Sequence, residues 1–352
     1  MQYDLSTLTP AGAKHGNTNV TRRLRLPFVW CAVYNGCVKN MDARLIYNPS
    51  AGMRTARQEI QHAVAVFSEH GWAVEVSETT HAGDATRLAH AAADENLDAL
   101  IAAGGDGTLN EAANGLLGSA TALGVLPMGT ANVWAKEMGL PLGDAVTAAR
   151  RLADAEVRTI DVGEVCGPTI APRNFVLWCG VGLDALITRD VEPQREMKRR
   201  LGALMFWLVG LCDAWQYRGK RATLILSGKR VRKRVIFALA ANAQLYGCIV
   251  RIAPNANVDD GLLDLLVFKG TGFAMTAWHL VRVFFGRHLR DPQVESYALS
   301  SLKISGKKLP VHVDGEPIGF APVEIRVQPR ALRVLVPKTA NRNLFVTSDT
   351  NS

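Results

Sequence analysis

A glycine-rich turn is the segment of this 352-residue sequence with the clearest chemical potential. Residues 104–111 read Gly-Gly-Asp-Gly-Thr-Leu-Asn-Glu and follow an apolar run that is typical of a buried strand. Glycines let backbone N–H groups approach phosphate oxygens, and the helix that follows adds partial positive charge at its N-terminus. Because a carboxylate in such a turn would repel phosphate, we assign Asp106 to a Mg²⁺ ion, directly or through water. The alternative is a tight strand–helix turn in which Asp106 caps the helix.

Two further turns follow strands of the same kind. In residues 126–132, Thr130 could donate to a phosphate or cap a helix, and Asn132 could hold the loop or touch a nucleotide. Residues 48–52 read Asn-Pro-Ser-Ala-Gly, and Arg54 and Arg57 follow. These arginines could reach a phosphate or lie on a solvated helix face.

Two acidic turns lie further along the chain. Asp314-Gly315-Glu316 ends a predicted strand, and phosphoryl transfer to an alcohol needs an acceptor for the hydroxyl proton. Glu316 could be that acceptor, with Asp314 orienting it or binding Mg²⁺, or both could be solvated acids of a β-turn. The turn at residues 257–264 could hold a hard cation through Asp260 and backbone carbonyls, or be a simple hairpin.

Alternating strand and helix patterns predict that a parallel sheet, with helices on both faces, positions the first three turns. Ligands of such sheets bind at the carboxyl ends of the strands, which is where these turns fall. The predicted strands are residues 43–47, 72–76, 98–103 and 123–126, and the predicted helices are residues 56–67 and 84–93.

Beyond residue 159 the predicted strands follow one another closely, which indicates a second, mostly antiparallel β domain. They are residues 174–179, 221–226, 231–241, 263–268, 301–304, 311–313, 323–327 and 332–336, with helical insertions near 196–216 and 273–288. The predicted domains are an extension that is disordered or misassigned (1–41), a nucleotide-binding domain (42–160), a β-sandwich (161–325), a return strand (326–340) and a tail (341–352).

Composition narrows the partners and the compartment. A net charge of +8 favours an anionic partner, which could be nucleic acid, an anionic membrane or a polyphosphate. The six cysteines form no C-x-x-C pair, which argues against a zinc site and a disulfide framework and favours the cytoplasm. The longest apolar stretch, residues 201–212, is too short for a hydrocarbon core of about 30 Å. P-loop, protein-kinase and dinucleotide fingerprints do not occur in the sequence.

From about Ala43 to about Pro337, the ordered set of segments resembles the catalytic domain of the diacylglycerol kinase and sphingosine kinase family of lipid kinases. NAD kinases share a motif similar to the first glycine-rich turn, whereas the ordered set is specific. The segments that carry the resemblance are residues 48–52, 104–110, 126–132, 257–262 and 314–316.

The resemblance implies an N-terminal doubly wound α/β domain and a C-terminal antiparallel β-sandwich, with the active site in the cleft between them. It implies that Glu316 accepts the proton and that a structural Mg²⁺, present in bacterial members, is held by Asp260 and the carbonyls of Asn257 and Leu262. It also implies that the last strands return to the first domain. The residues expected to contact ATP are Asn48, Ser50, Arg54, Thr79, Gly104, Gly105, Asp106, Gly107, Thr108, Leu109, Asn110 and Thr130. The first turn lacks a lysine that some relatives carry, and Arg54 is expected to substitute for it.

The expected partners are therefore ATP and a lipid with a free hydroxyl, whose identity the sequence leaves open, as it does a homo-oligomer. Basic residues beside the apolar segments 201–208 and 273–288 suit peripheral contact with an anionic inner membrane face, although both segments could equally be core or dimer helices. An NAD kinase and a non-catalytic lipid- or nucleotide-binding module are the rival functions. We expect no nucleic-acid binding, because no recognition helix or RNA-binding aromatic signature occurs in the sequence.

Overall fold

The computed structural model describes residues 41–48, 56–191, 215–247 and 250–346. Residues 1–40 of the predicted N-terminal extension, residues 49–55 after β1, most of the first helical insertion and the end of the tail lie outside these ranges, whereas Met41 belongs to β1. No helix within them is long and apolar enough to cross a membrane.

The N-terminal half is a parallel α/β sheet. Its strands stand in the order β2, β1, β3, β4, so their carboxyl ends share one edge. β3 and β4 are buried along their whole length, which explains their continuous apolar sequence. The elements are β1 Met41–Tyr47, α1 Ala56–Glu69, β2 Trp72–Glu78, α2 Asp84–Asp94, β3 Ala99–Gly104, α3 Asp106–Leu116, β4 Ala122–Pro127, α4 Val133–Glu137 and α5 Ala145–Ala153.

The C-terminal half is built from antiparallel pairs around a second apolar core. Two short 3₁₀ helices, His288–Arg290 and Arg342–Leu344, complete it. Its elements are β5 Glu156–Gly167, β6 Ile170–Phe175, β7 Trp178–Gly182, α6 Leu183–Val191, β8 Lys220–Leu226, β9 Lys229–Ala241, β10 Leu245–Tyr246, β11 Val250–Arg251, β12 Leu263–Lys269, α7 Gly272–Phe284, β13 Val294–Leu299, β14 Ser301–Gly306, β15 Pro310–Val313, β16 Glu316–Phe320 and β17 Val323–Val336. The predicted class, α/β followed by an antiparallel β-sandwich, is confirmed.

The long strand β17 joins the two halves. Its first residues pair with β14, and Val334 pairs in parallel with Leu123 of β4. β5 runs antiparallel to β17 on both sides of an irregularity between Gln328 and Leu332. The sheet hydrogen bonding therefore continues from one half into the other.

Several predicted elements need correction. Residues 174–179 form no single strand, because the N–H groups of Val176 and Leu177 donate to the Asp314 carboxylate between β6 and β7. The predicted strands 323–327 and 332–336 are one strand, β17, which passes through its irregularity without ending. β5, β13 and β16 were not predicted, since each is short in apolar residues or alternates only weakly. The second helical insertion is confirmed as α7.

Candidate functional site

The glycine-rich turn joins β3 directly to α3 at the carboxyl edge of the parallel sheet. Gly105 is the N-cap of α3 in an extended conformation. A Cβ atom on Gly104 would lie 2.6 Å from Oγ1 of Thr108, so no side chain fits there. Leu109 is buried in the core, while Gly107 is exposed. The turn therefore presents backbone to its surroundings.

The turn after β4 packs against this glycine-rich turn. Met128 and Gly129 donate their N–H groups to the Gly104 carbonyl, at 3.0 and 3.2 Å. A Cβ atom on Gly129 would lie 2.5 Å from Cα of Gly105, so the two backbones touch. Asn132 holds the loop, since its side chain both donates to and accepts from the backbone of Gly129. Thr130 is exposed beside the two turns and is available to a ligand.

The carboxylate of Asp106 lies at the N-terminus of α4. The N–H groups of Asn132, Val133 and Trp134 face it, the last at 3.4 Å. Burial raises the pKa of the Asp106 carboxyl, and these hydrogen bonds oppose the rise without cancelling it. Asp106 thus caps the next helix rather than its own, and a buried carboxylate with a raised pKa would gain from a cation beside it.

Asn110, on the first turns of α3, connects the glycine-rich turn to the second half of the chain. Its Nδ2 donates to Oδ2 of Asp314 at 2.7 Å and to the Asn174 carbonyl at 3.1 Å. Asn114 and Asn174 extend this network through their own side-chain amides. The Asn110 amide group thus donates to two protein acceptors, and its expected contact with ATP stays a prediction.

The Asp314 carboxylate fastens the turn between β6 and β7. Its two oxygens accept the N–H groups of Val176, Leu177 and Trp178 at 2.8–3.1 Å, in addition to the Asn110 amide. Burial raises the pKa of Asp314 to about 6 despite these donors. Its backbone adopts a positive φ of 46°, which turns the chain sharply toward Glu316. This network engages both Asp314 oxygens.

Glu316 begins β16 and is exposed. Nη2 of Arg173 lies 2.6 Å from its Oε2, and the Glu316 side chain is 62% exposed. Arg173 was not singled out from the sequence. It lies on β6, and the tertiary fold alone brings it beside Glu316, 143 residues later in the chain. The carboxylate is therefore held in a defined direction and remains accessible to solvent.

A buried polar group lies behind the Asp314–Glu316 turn and was also missed. Nε2 of His312 is 2.5 Å from Oδ2 of Asp184, whose other oxygen accepts the Tyr246 hydroxyl. Nδ1 of His312 faces the Gly315 N–H at 3.3 Å. Because Gly315 donates to Nδ1, the ring proton resides on Nε2 and points to Asp184.

Two of the remaining expected ATP contacts, Asn48 and Thr79, lie at the ends of β1 and β2. Thr79 is buried, and its hydroxyl donates to the Tyr47 carbonyl at 3.3 Å. Asn48 directly follows β1, whereas Ser50 and Arg54 lie outside the described residues. Arg57 pairs with Glu78 at 3.0 Å, the surface ion pair that a solvated helix face predicts.

The predicted second metal site lies in the turn before β12. Oδ1 of Asp260 accepts the Leu262 N–H at 2.9 Å, and the Asn257 side chain also bonds to Asp260. Burial raises the pKa of Asp260, and burial together with Asp260 raises the pKa of Asp264 to about 6. Oxygen donors beside two carboxylates that resist ionisation fit a hard divalent cation. Within the described residues, no group of three or more acidic, histidine or cysteine side chains forms a ready cage.

Comparison with known proteins covers both halves. The model of the diacylglycerol kinase catalytic domain matches residues 42–165, and the model of the YegS C-terminal NAD kinase beta sandwich-like domain matches residues 178–336. The chain is 31% identical to a diacylglycerol kinase of Bacillus subtilis over 84% of its own length and 96% of that protein. It is 27% identical to a diacylglycerol kinase of Staphylococcus aureus strain Newman, over 87% and 96%. A crystal structure of a diacylglycerol kinase from Bacillus anthracis shares the fold, with a TM-score of 0.65 and 21% identity over 86% of this chain and 98% of that one.

Proposed function

Because this chain belongs to the diacylglycerol kinase family, we propose that it is an ATP-dependent lipid kinase that phosphorylates a lipid hydroxyl. The observation that carries the proposal is the 2.7 Å hydrogen bond between Asn110 and Asp314. It ties the phosphate-sized turn to the turn that bears Glu316, although 204 residues separate them. A kinase needs its phosphate-binding turn and the acceptor of the hydroxyl proton close to each other.

The nucleotide side of the site uses backbone more than side chains. The first N–H groups of α3 have no acceptor within the helix, and its dipole favours negative charge at that end. Gly104 and Gly129 leave no side chain in the way. We therefore assign the phosphates of ATP to the turn from Gly104 to Asn110, with Thr130 as a neighbouring hydroxyl donor.

The acceptor side uses Glu316. Asp314 anchors its turn, Arg173 directs its carboxylate, and His312 holds the intervening Gly315 from behind. In the reaction, the lipid oxygen forms a bond to the γ-phosphorus while the bond from that phosphorus to the β–γ bridging oxygen breaks. ADP leaves with the bridging oxygen, and Glu316 takes the proton of the lipid hydroxyl.

Mg²⁺ fits the site because the half-buried Asp106 carboxylate lies at the helix N-terminus beside the glycine-rich turn and its pKa is raised by burial. When bound, the ion neutralises charge on the phosphate oxygens. Asp106 would hold it directly or through water, and few other protein ligands are needed, since Mg²⁺ keeps waters and takes phosphate oxygens. Asp260 with the Asn257 and Leu262 carbonyls would hold the separate, structural ion. Both assignments are proposals.

The decisive experiment is transfer of labelled γ-phosphate from ATP into a total lipid extract, followed by identification of the labelled lipid. Glu316→Gln should lower kcat by about 10²–10⁴-fold with little change in ATP binding, because only the proton acceptor is lost. Glu324→Gln is the matched control, since Glu324 also pairs with a surface cation, Lys303 at 2.8 Å. A Glu316 variant whose defect appears only in KM would reject the role as base.

NAD kinase activity is the second candidate. It is favoured by the match of residues 178–336 to a domain described as NAD kinase-like. Supplying NAD and labelled ATP tests it, because a labelled dinucleotide without labelled lipid would replace the first proposal. If neither acceptor is labelled and no ATP is consumed, the chain is a binding module.

Because the proposed reaction uses ATP, we place the enzyme in the cytoplasm. There it would act on lipids at the inner membrane face, as part of phospholipid biosynthesis.

A further inference from the structure

Helix α7 turns its apolar side away from the protein. Trp278, Leu280, Val281, Phe284 and Phe285 are 38–68% exposed. Isolated exposed apolar residues are ordinary, but a contiguous group on one helix is not. We call the outward side of α7, from Ala274 to Phe285, the apolar face.

The inward side of the same helix is partly polar and is anchored. Thr276 and His279 are almost fully buried, at 2% and 1% exposure. Nε2 of His279 lies 2.8 Å from the Lys269 carbonyl at the end of β12, and its ring packs edge-on against Phe268. These contacts fix the rotation of α7, so the helix cannot turn its aromatic residues into the core.

The apolar face is continuous. Ala274, Trp278, Val281 and Phe285 follow at steps of four, three and four, which places them on one stripe of a helix. Leu280 and Phe284 lie beside this stripe. Arg282 also borders it, with its guanidinium 5.5 Å from the centroid of the Trp278 ring, and pairs with the buried Asp291 at 3.5 Å. The indole N–H of Trp278 donates to Asp291 at 2.6 Å, so its ring can lie in an apolar medium without an unpaired polar group.

Arginines border both ends of the apolar face. Arg234 donates to Thr271 at the N-terminal end of α7, and the Thr271 hydroxyl donates to the Arg218 carbonyl. Arg287 and Arg290 follow the C-terminal end. All four side chains belong to exposed residues, and none forms an ion pair within the part of the chain that the structure describes.

We propose that the apolar face is a docking surface that inserts into the interfacial layer of an anionic phospholipid bilayer, with the four arginines at the headgroup phosphates. An aromatic helix side with a basic border matches such a layer in both polarity and charge. A second copy is a poorer occupant, because a symmetric contact would bring like-charged borders together. The proposal rests on α7 and its border, and it stands whether or not the chain transfers phosphate.

The test is sedimentation of the full chain with vesicles of phosphatidylcholine alone or of phosphatidylcholine mixed with phosphatidylglycerol. The chain should bind the anionic vesicles and release them as salt is raised. The double variant Phe284→Ser, Phe285→Ser should bind about tenfold more weakly or worse, because two aromatic rings no longer leave water. The matched control is Leu142→Ser, an exposed apolar residue at 41% exposure away from α7, which should bind as the parent does.

The charge border is tested separately. Arg287→Glu, Arg290→Glu should weaken binding to the anionic vesicles by about tenfold or more, since each basic residue near such a surface contributes measurably. The control pair is Lys229→Glu, Arg230→Glu, which makes the same change in net charge on the exposed β8–β9 hairpin. If both double variants lost the same affinity for anionic vesicles, overall net charge would explain the effect. That result would overturn the proposed role of the arginines at the ends of α7.

Two other occupants give distinct results. If a second copy covers the face, the double Phe variant changes the sedimentation coefficient in the absence of vesicles and leaves vesicle binding intact. If residues 192–214 cover it, the variant lowers the thermal midpoint and again leaves vesicle binding intact. Either result overturns the proposal. Glu316→Gln should bind vesicles normally, which separates docking from the failure of the proposed catalysis.

Discussion

Asn110 Nδ2 lies 2.7 Å from Asp314 Oδ2, and this hydrogen bond links the glycine-rich turn to the acidic turn. Asp314 in turn receives three backbone N–H groups from the β6–β7 turn. The hydrogen bonds of Asn110 and Asp314 therefore hold together the glycine-rich turn, the acidic turn and the β6–β7 turn, which come from distant parts of the chain.

We expect Asn110→Leu to lower the free energy of unfolding by about 1–3 kcal/mol, because a buried carboxylate loses a donor. It should also reduce phosphate transfer by more than that loss explains, since the two turns are no longer aligned. Denaturant unfolding and kcat measured on the same samples separate the effects. Asn341→Leu is the control, because Asn341 donates to Gln244 at 3.1 Å away from these turns and should affect stability alone.

Asp314 should make stability depend on pH in a particular direction. Burial raises the folded pKa of Asp314 to about 6, above the ordinary value of 3.8, so the folded state keeps this proton where the unfolded chain has released it. The carboxyl therefore favours folding below about pH 4, and this contribution declines as pH rises to about 6. The full change is about 2–3 kcal/mol.

Unfolding free energies of the parent and of Asp314→Asn across that pH window measure this contribution. The difference between the two proteins should change steadily between about pH 4 and pH 6 and then become constant. A constant difference across the whole window would mean that the Asp314 carboxyl titrates at an ordinary pKa when folded.

Asp106→Asn separates a metal-binding role from a capping role. Its carboxylate lies at the N-terminus of α4, so the substitution should cost only about 0.5–2 kcal/mol of stability. If Asp106 also holds Mg²⁺, phosphate transfer should fall by orders of magnitude while the protein stays folded. Asp144→Asn is the control, because Asp144 caps α5 through the Thr147 N–H at 2.9 Å. Retained activity in Asp106→Asn would leave the residue with its capping role alone.

His312 is expected to position Glu316 through the Gly315 N–H rather than to act on substrate. In His312→Asn the side-chain oxygen can replace Nδ1 as acceptor, whereas His312→Gln preserves only the contact with Asp184. We expect the Asn variant to retain more kcat than the Gln variant, by about tenfold, with the KM for ATP unchanged in both. Equal kcat values at equal thermal midpoints would assign His312 to packing alone.

Local sequence was enough to place the parallel sheet, the two described turns at its carboxyl edge, after β3 and β4, and the acidic turn of Glu316. Continuous apolar runs require buried strands, and glycines beside Asp106 require a turn without side chains, so these features follow from neighbouring residues. The α7 segment was also recognised as helical from the sequence, but the side of the helix that faces outward was not. The outward side of α7 is set by the contact between the buried His279 ring and the Lys269 carbonyl, which is a tertiary contact.

Only the tertiary structure decided which side chains meet at the site. Arg173 pairs with Glu316, and Asn110 with Asp314, because β17 carries the sheet from one half of the chain into the other and brings β15 and β16 beside β6 and β7. Such partners lie more than a hundred residues apart. Local sequence spacing constrains only residues that are near one another in the chain. The entropy lost in closing a long loop is offset by the contacts of the whole sheet, and not by the two residues that finally touch.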